Sequence, residues 1–140
     1  MASLKTMLDG MGLDEVKENK NDKGEVVSYS VNIQRAPWTF WISVSLSPDK
    51  TNVWLNAWLS KVPDPGNVPP KVLLGLLAAN EKIRPAYFIY SETWTQFRLS
   101  MPVPNRDVKA KDLRKQLDLT CSMIQEYAPL WNPEKWPKTK

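Results

Sequence analysis

The sequence predicts an α+β fold in which helices flank an antiparallel sheet of five strands. Apolar and polar residues alternate over three consecutive segments between residues 26 and 60, and again over two segments between residues 86 and 101. This is the period of strands that bury one face. Segments with helical spacing precede, separate and follow these groups, which gives the order α-β-β-β-α-β-β-α. Strands grouped in this way favour an α+β fold over a parallel sheet.

One domain is expected for residues 1–140, because this length suits a single hydrophobic core. The first helix is predicted at about residues 3–11, with Ser3 as its cap. Residues 17–25 are polar and turn-rich, which predicts a mobile linker after that helix. Residues 129–140 are expected to form an extended C-terminal tail that docks through its tryptophans.

Short connections determine the register of the first three strands. A turn at Ala36-Pro37 would place Ile33 opposite Phe40, Val31 opposite Ile42, Tyr29 opposite Val44 and Val27 opposite Leu46. A turn over residues 48–51 would place Phe40 opposite Leu59, Ile42 opposite Ala57, Val44 opposite Leu55 and Leu46 opposite Val53. Both registers turn the same apolar side inward, whereas a slip of one residue would turn it to solvent.

The opposite side of these strands carries Trp41, Trp54 and Trp58 among hydroxyl and amide side chains. The predicted register places Trp41 directly across from Trp58, within reach of ring contact. Exposed aromatic clusters usually contact something. Three interpretations follow: the terminal helices or the tail of the chain cover this face, a peptide or protein binds it, or single-stranded nucleic acid stacks on it.

A second helix is predicted to begin near Pro69-Pro70, since proline is tolerated in a first turn. Its apolar residues cover more than one side: Val72, Leu73, Leu74, Leu76, Leu77, Ala78 and Ala79. A helix of this kind is buried on two sides, and a second subunit would supply one of them. We therefore expect a homodimer whose interface includes Leu73, Leu74, Leu77 and Ala78.

A hairpin with its turn at Glu92-Thr93 should follow, pairing Tyr90 with Thr95, Phe88 with Phe97 and Ala86 with Leu99. A long helix is predicted over about residues 108–127, capped by Asn105 or Asp107. Four basic residues near its start, Lys109, Lys111, Arg114 and Lys115, are most simply a solvated helix face.

The residue types that are missing argue against catalysis. The chain has no histidine, which removes the commonest general base and metal ligand, and its one cysteine leaves no usual zinc site. No phosphate-binding loop or dinucleotide fingerprint occurs. The sequence therefore predicts no enzyme activity, no metal and no cofactor. Cys121 falls in a helical pattern and is expected to be a buried, inert thiol. The single cysteine, and the lack of a signal peptide or of an apolar run long enough for a membrane span, predict a cytoplasmic protein.

The order of the elements resembles the type III secretion chaperone-like fold, which includes the Tir-chaperone and YbjN-like groups. The residues that match best are the leucine-rich second helix Leu73–Asn80, the strand segments Trp41–Ser45 and Val53–Leu55, and Phe97-Arg98-Leu99 before the exit Pro102-Val103-Pro104. The resemblance covers about residues 3–128. It implies a small bacterial cytoplasmic dimer without enzymatic activity, which binds an unfolded segment of a protein and in which the second helix contributes to dimerisation.

The chain departs from these chaperones in charge, since they are usually acidic and this chain carries +4. A chaperone-like domain with some other cytoplasmic ligand accommodates this difference. The resulting prediction is a protein-binding module whose ligand surface includes Trp41, Trp54 and Trp58, with Leu4 and Leu8 of the first helix. The alternative is single-stranded nucleic-acid binding by the same tryptophans and the basic C-terminal helix.

Overall fold

A computed structural model describes residues 4–13, 15–35, 38–62 and 64–136. Its helices are α1 (Leu4–Asp9), α2 (Pro70–Lys82), α3 (Ala110–Glu126) and α4 (Ala128–Trp131), and its strands are β1 (Glu15–Lys20), β2 (Val26–Arg35), β3 (Trp38–Leu46), β4 (Asn52–Lys61), β5 (Tyr87–Ser91) and β6 (Gln96–Pro104). Single 3₁₀ turns lie at Pro65–Asn67 and Pro133–Lys135. Ser3 and the turn Ala36-Pro37 lie outside the described residues.

The six strands form one sheet in the order β1-β2-β3-β4-β6-β5, with antiparallel neighbours throughout. The predicted α+β class is confirmed, whereas the count of five strands is wrong. The additional strand is β1, which pairs with β2 and includes residues 17–20 of the segment expected to be a linker.

The sequence does not predict β1, because this edge strand is polar and only Val16 of its residues packs against the core. Other contacts hold it in place. Asn19 Nδ2 donates to the hydroxyls of Ser28 and Ser30 on β2, at 3.0 and 2.9 Å. Lys5 Nζ of α1 lies 2.8 Å from a carboxylate oxygen of Glu18. Ladder pairing and side-chain hydrogen bonds therefore define this strand without an alternating apolar pattern.

The central register is as predicted. Tyr29, Val31 and Ile33 lie opposite Val44, Ile42 and Phe40, and Ile42, Val44 and Leu46 lie opposite Ala57, Leu55 and Val53. The β2–β3 ladder ends at Tyr29–Val44 and the β3–β4 ladder ends at Ile42–Ala57. The predicted pairs Val27–Leu46 and Phe40–Leu59 are therefore wrong.

The predicted register of the second hairpin is wrong by two residues. Phe88 lies opposite Leu99 and Tyr90 opposite Phe97. The turn takes four residues, 92–95, and Thr95 adopts a positive φ of 47°. A shift of two residues keeps every side chain on its predicted side, because the pleat repeats every two residues.

Helices cover one side of the sheet, which we call the inner face. Its alternating residues, among them Val31, Ile42 and Leu55, form one core cluster with Leu8 of α1 and Leu117 of α3. α3 begins where the Lys109 N–H donates to Asp112 Oδ2 at 3.3 Å. Neither predicted cap serves it: Asn105 Nδ2 donates to the Lys50 carbonyl at 2.8 Å, and Asp107 has a positive φ of 51°.

The C-terminal segment also packs on the inner face, as short helical turns rather than as an extended tail. Trp131 is buried, donates from Nε1 to the Ile124 carbonyl at 2.8 Å and meets Trp38 edge-on at 6.0 Å. Trp136 donates to the Leu130 carbonyl at 2.8 Å and meets Phe97 at 6.3 Å. Residues 128–136 therefore pack against the side of the sheet opposite Trp41, Trp54 and Trp58.

Candidate functional site

The outer face of the sheet holds the three tryptophans that the sequence singled out, and we call it the tryptophan face. Trp41 and Trp58 each keep 40% of their surface exposed, and Trp54 is half-buried. Trp54 meets Tyr87 of β5 edge-on, with ring centroids 6.4 Å apart. Strand alternation places all three on one side, because the inner positions between them belong to the core.

Two cations lie on these rings, and sequence reasoning assigned no role to either. Lys17 Nζ is 4.8 Å from the Trp41 ring centroid, and Arg98 Cζ is 5.1 Å from that of Trp58. Such cation–π contacts are electrostatically favourable. Lys17 could not be placed because β1 was not predicted. The pairing of Arg98 with Trp58 depends on the β4–β6 neighbourhood, which the order of strands along the chain does not reveal.

Hydrogen bonds fix the position of Arg98. Its Nε donates to Ser100 Oγ at 3.0 Å, and that hydroxyl donates to Asn56 Oδ1 at 2.7 Å. On the other side of the face, Lys17 Nζ lies 3.6 Å from Glu15, and both side chains are about half exposed. The two cations therefore stand at the surface on either side of the central strands.

A cleft opens between β3 and β4 beyond the pair Ile42–Ala57, and we call it the seam cleft. In its ladder with β6, β4 has a bulge between Trp58 and Lys61, and Gln96 Nε2 donates to the Leu59 carbonyl at 2.6 Å. A bulge bends its strand, and the β3–β4 ladder does not continue past Ile42–Ala57. The cleft has a volume of about 250 Å³ and is lined by Trp38, Thr39, Phe40, Trp41, Ala57, Trp58, Leu59, Ser60, Ile124 and Trp131.

Trp41 and Trp58 are not paired across the β3–β4 ladder, so the predicted position of the two rings directly opposite each other is wrong. The pair that would place them directly opposite each other lies beyond the end of the ladder. Each ring contributes to the cleft from its own strand, and residues of α3 and α4 reach it from the inner face. Sequence reasoning missed Trp38 and Trp131, because their approach depends on how the tail packs.

One buried polar atom of the tryptophan face lacks a partner. Asn32 lies between Glu15 and Trp41 in the strand pairing and is 8% exposed, and its Oδ1 accepts no hydrogen bond.

Leu4 and Leu8 do not belong to an exposed ligand surface, so this part of the predicted site is wrong. Their side chains are 7% and 0% exposed and belong to the core cluster on the inner face. The apolar stripe of α1 was identified correctly. Its burial against the sheet depends on where α1 lies, which helical spacing does not specify.

The apolar residues of α2 are buried on one side of the helix and exposed on the other. Val72, Leu76 and Ala79 are buried, whereas Leu73, Leu74, Leu77 and Ala78 are exposed, with Leu74 and Leu77 at 67% and 66%. A groove of about 280 Å³ lies beside the exposed side and is lined by residues of α2, β5 and β6. Asn80 joins α2 to β5: Phe88 N donates to Asn80 Oδ1 at 2.6 Å, and Asn80 Nδ2 donates to the Phe88 carbonyl at 3.2 Å.

The basic helix and the tryptophan face lie on opposite sides of the sheet. Arg35 shares the inner side with Val31 and Ile33, and its guanidinium donates to the Ser122 hydroxyl and the Asp118 carbonyl of α3. Arg114 donates from Nε to Asp118 Oδ2 and from Nη1 to the Met11 carbonyl. The single nucleic-acid surface that would combine α3 with the tryptophans is therefore not formed.

The described residues include neither a cluster of metal ligands nor a reactive thiol. Among them, no group of three or more His, Cys, Asp or Glu side chains could hold a metal ion. Burial raises the pKa of the Cys121 thiol to about 11, so it stays protonated near neutral pH and is a poor nucleophile. None of the described helices has the length and apolarity needed to cross a bilayer.

No protein-family model and no curated protein sequence matches this chain. Solved structures do resemble it. A chain of the HopA1–SchA chaperone–effector complex aligns with a TM-score of 0.55 and 12% identity, covering 79% of each chain. A chain of the heterodimeric ExoU–SpcU complex from the type III secretion system of Pseudomonas aeruginosa aligns with a TM-score of 0.62 and 16% identity, covering 94% of this chain and 99% of that one. The protein therefore has a type III secretion chaperone-like fold.

Proposed function

We propose that this protein is a non-enzymatic, chaperone-like module of the bacterial cytoplasm that captures a segment of a partner protein. The observation that carries the proposal is the open tryptophan face, on which Trp41 and Trp58 remain 40% exposed while the helices pack on the other side. One similar structure is a chaperone–effector complex by description, and the other is a heterodimeric complex of the type III secretion system, which supports a protein as the ligand.

The chemistry of the face suits a polypeptide better than a small metabolite. Large rings supply apolar contact area, and the surrounding hydroxyl and amide groups, such as Ser43 and Asn56, offer donors and acceptors. Tryptophan and arginine are the residues most often found at energetic centres of protein interfaces. An extended segment presents side chains and backbone amides together, which matches this mixture.

We propose further that the protein acts as a homodimer through α2. The exposed side chains of Leu73, Leu74, Leu77 and Ala78 form an apolar strip that continues into the groove beside β5. β5 is an edge strand of the sheet, so a second copy could approach both elements at once. The ligand surface would stay accessible, because the tryptophan side chains belong to the outer face of the sheet.

Capture of the partner tests this function directly. Tagged protein is used to isolate the partner from the native host, mass spectrometry identifies it, and calorimetry with the purified partner segment measures affinity. The double variant Trp41→Ala with Trp58→Ala should bind at least about tenfold more weakly, because interface tryptophans often contribute 2 kcal/mol or more. Trp94→Ala is the matched control, since Trp94 is 63% exposed in the β5–β6 turn. Unchanged affinity in a folded double variant would refute the proposed ligand surface.

A further inference from the structure

We propose that the seam cleft is an anchor site that takes one large apolar side chain of the bound segment, with acidic residues of that segment on both sides of the anchor. This inference rests on the proposed function and specifies what kind of segment is captured. It depends on three features of the tryptophan face: the size and lining of the cleft, the end of the β3–β4 ladder, and the positions of Lys17 and Arg98.

The volume of the cleft fits one side chain. At about 250 Å³, it exceeds the roughly 150 Å³ of an apolar cavity that admits benzene. It is smaller than the roughly 300–1,000 Å³ typical of sites for whole drug-sized ligands. Its deeper wall is apolar, since Phe40, Ile124 and Trp131 are all buried. A phenylalanine, tryptophan or leucine side chain is therefore the appropriate occupant.

The end of the β3–β4 ladder gives an extended chain access to this site. Residues 38–41 of β3 and 58–60 of β4 line the cleft but do not pair with each other. Their backbone groups are therefore not joined across the seam, and buried backbone groups require partners. A segment that crosses the strands over the mouth of the cleft can supply some of these partners while its side chain enters. The exposed side chain of Thr39 and the half-buried Ser60 leave this mouth open to solvent.

Charge specifies the flanks of the segment. Lys17 and Arg98 lie over the two tryptophans that line the cleft, one on the side of β1 and the other on the side of β6. The backbones of these strands are four positions apart in the sheet order, or about 19 Å at the usual strand spacing of 4.8 Å. Both side chains reach inward from these strands over the rings, so the two charges lie closer together than that. An extended chain covers about 3.3 Å per residue, so at most about six residues span the two cations. Acidic residues within about three positions of the anchor would then reach both cations.

A titration with synthetic peptides tests the proposal on the unmodified protein. The probe is a peptide of about nine residues, long enough to span both cations, with a central phenylalanine, an aspartate three positions away on each side, and glycine or serine elsewhere. One matched peptide replaces the phenylalanine with alanine, and another replaces both aspartates with lysine. Fluorescence anisotropy measures affinity, and NMR follows the seven tryptophan indole N–H signals.

The indole signals report where the peptide binds. We expect shifts for Trp38, Trp41, Trp58 and Trp131, which line the cleft, and constant signals for Trp54, Trp94 and Trp136, which do not. The alanine peptide should bind at least about tenfold more weakly, because a buried phenylalanine side chain contributes about 1.5–3 kcal/mol. The lysine peptide should also bind more weakly, and added salt should weaken the binding of the aspartate peptide.

Several results would overturn the proposal: equal binding of the phenylalanine and alanine peptides, shifts confined to the other three indoles, or no shift up to about 5 mM peptide, where weak anchors are still detected. The variants Trp58→Ala and Trp54→Ala distinguish failure of the anchor site from failure of the proposed function. If both variants weaken binding of the partner equally, the tryptophan face binds the partner but the cleft is not an anchor site. If only Trp58→Ala weakens binding, by about tenfold or more, both proposals hold.

Discussion

Asp49 shows how a single exposed side chain organises the turn that sets the β3–β4 register. Its Oδ1 accepts hydrogen bonds from the hydroxyls of Ser47 and Thr51, both at 2.7 Å, and from the Thr51 N–H at 3.1 Å. These bonds favour the charged carboxylate, so they lower the pKa of Asp49 to about 2, with the Ser47 bond as the largest cause. The turn holds β3 and β4 in the register that places Trp54 on the outer face beside Ser45.

The lowered pKa predicts how stability depends on pH. A carboxyl group with a depressed pKa in the folded state stabilises the protein above its unfolded pKa, and this contribution is lost as pH falls through the folded pKa. Asp49→Asn should therefore be less stable than the unmodified protein at pH 7, and the difference should shrink between about pH 4 and pH 2. Urea unfolding at several pH values measures it. Asp22→Asn, in the β1–β2 turn, controls for the loss of one negative charge, and an equal effect of both substitutions at all pH values would contradict the prediction.

At the scale of elements, the contact between α2 and α4 depends on the small size of Gly75. A Cβ atom added at this position would lie 2.7 Å from Leu130 Cδ2, which is closer than real contacts allow. Leu130 is partly buried against the core, and the neighbouring Trp131 lines the seam cleft. The position of α4 therefore links α2 to the deep wall of the proposed anchor site.

This contact predicts a coupling between two substitutions. In a Leu130→Ala background, Gly75→Ala should raise the free energy of unfolding by about 1 kcal/mol, because alanine has the higher helix propensity. In that background the leucine side chain that would contact the new methyl group is absent. In the unmodified background the gain should be smaller or absent, because Leu130 must move. Urea unfolding of the four proteins of this double-mutant cycle measures the coupling. The same effect in both backgrounds would show that α2 and α4 accommodate the methyl group without strain.

At the scale of the whole molecule, the two sides of the sheet differ in what covers them. The inner face is closed by α1, α3, α4 and the tail, whereas the tryptophan face stays open. The exposed strip of α2 lies beside the β5 edge, separate from the tryptophan face. An arrangement of this kind allows association through α2 and ligand binding on the outer face at the same time.

Sedimentation tests the association. The unmodified protein should sediment as a dimer at about 50 µM, as expected for moderate affinity. Leu74→Asp with Leu77→Asp should give a folded monomer, because charges would replace the most exposed apolar side chains of the strip. Leu119→Asp is the matched control, since Leu119 is 46% exposed on α3 and outside the proposed interface. A monomeric unmodified protein, or loss of the dimer in the control, would refute the interface.

Some wrong predictions had local causes. The polar sequence of β1 predicts a linker, because a strand with one core residue, Val16, has no alternation of apolar residues. The predicted register of the β5–β6 hairpin differs from the observed one by two residues. The pattern of alternation is identical in both registers, and only the length of the turn distinguishes them. Neither error moved a side chain of β2, β3 or β4 to the wrong face.

The sequence by itself determined the α+β class, the inner and outer sides of the central strands, and the two-sided character of α2. These follow from periods of 2 and 3.6 residues, which act locally along the chain. Only the tertiary structure decided that Leu4 and Leu8 are buried, that Lys17 and Arg98 lie on the tryptophans, and that β3 and β4 part to form the seam cleft. These features join residues far apart in sequence, and periodicity specifies which side of an element is apolar but not which element packs against it.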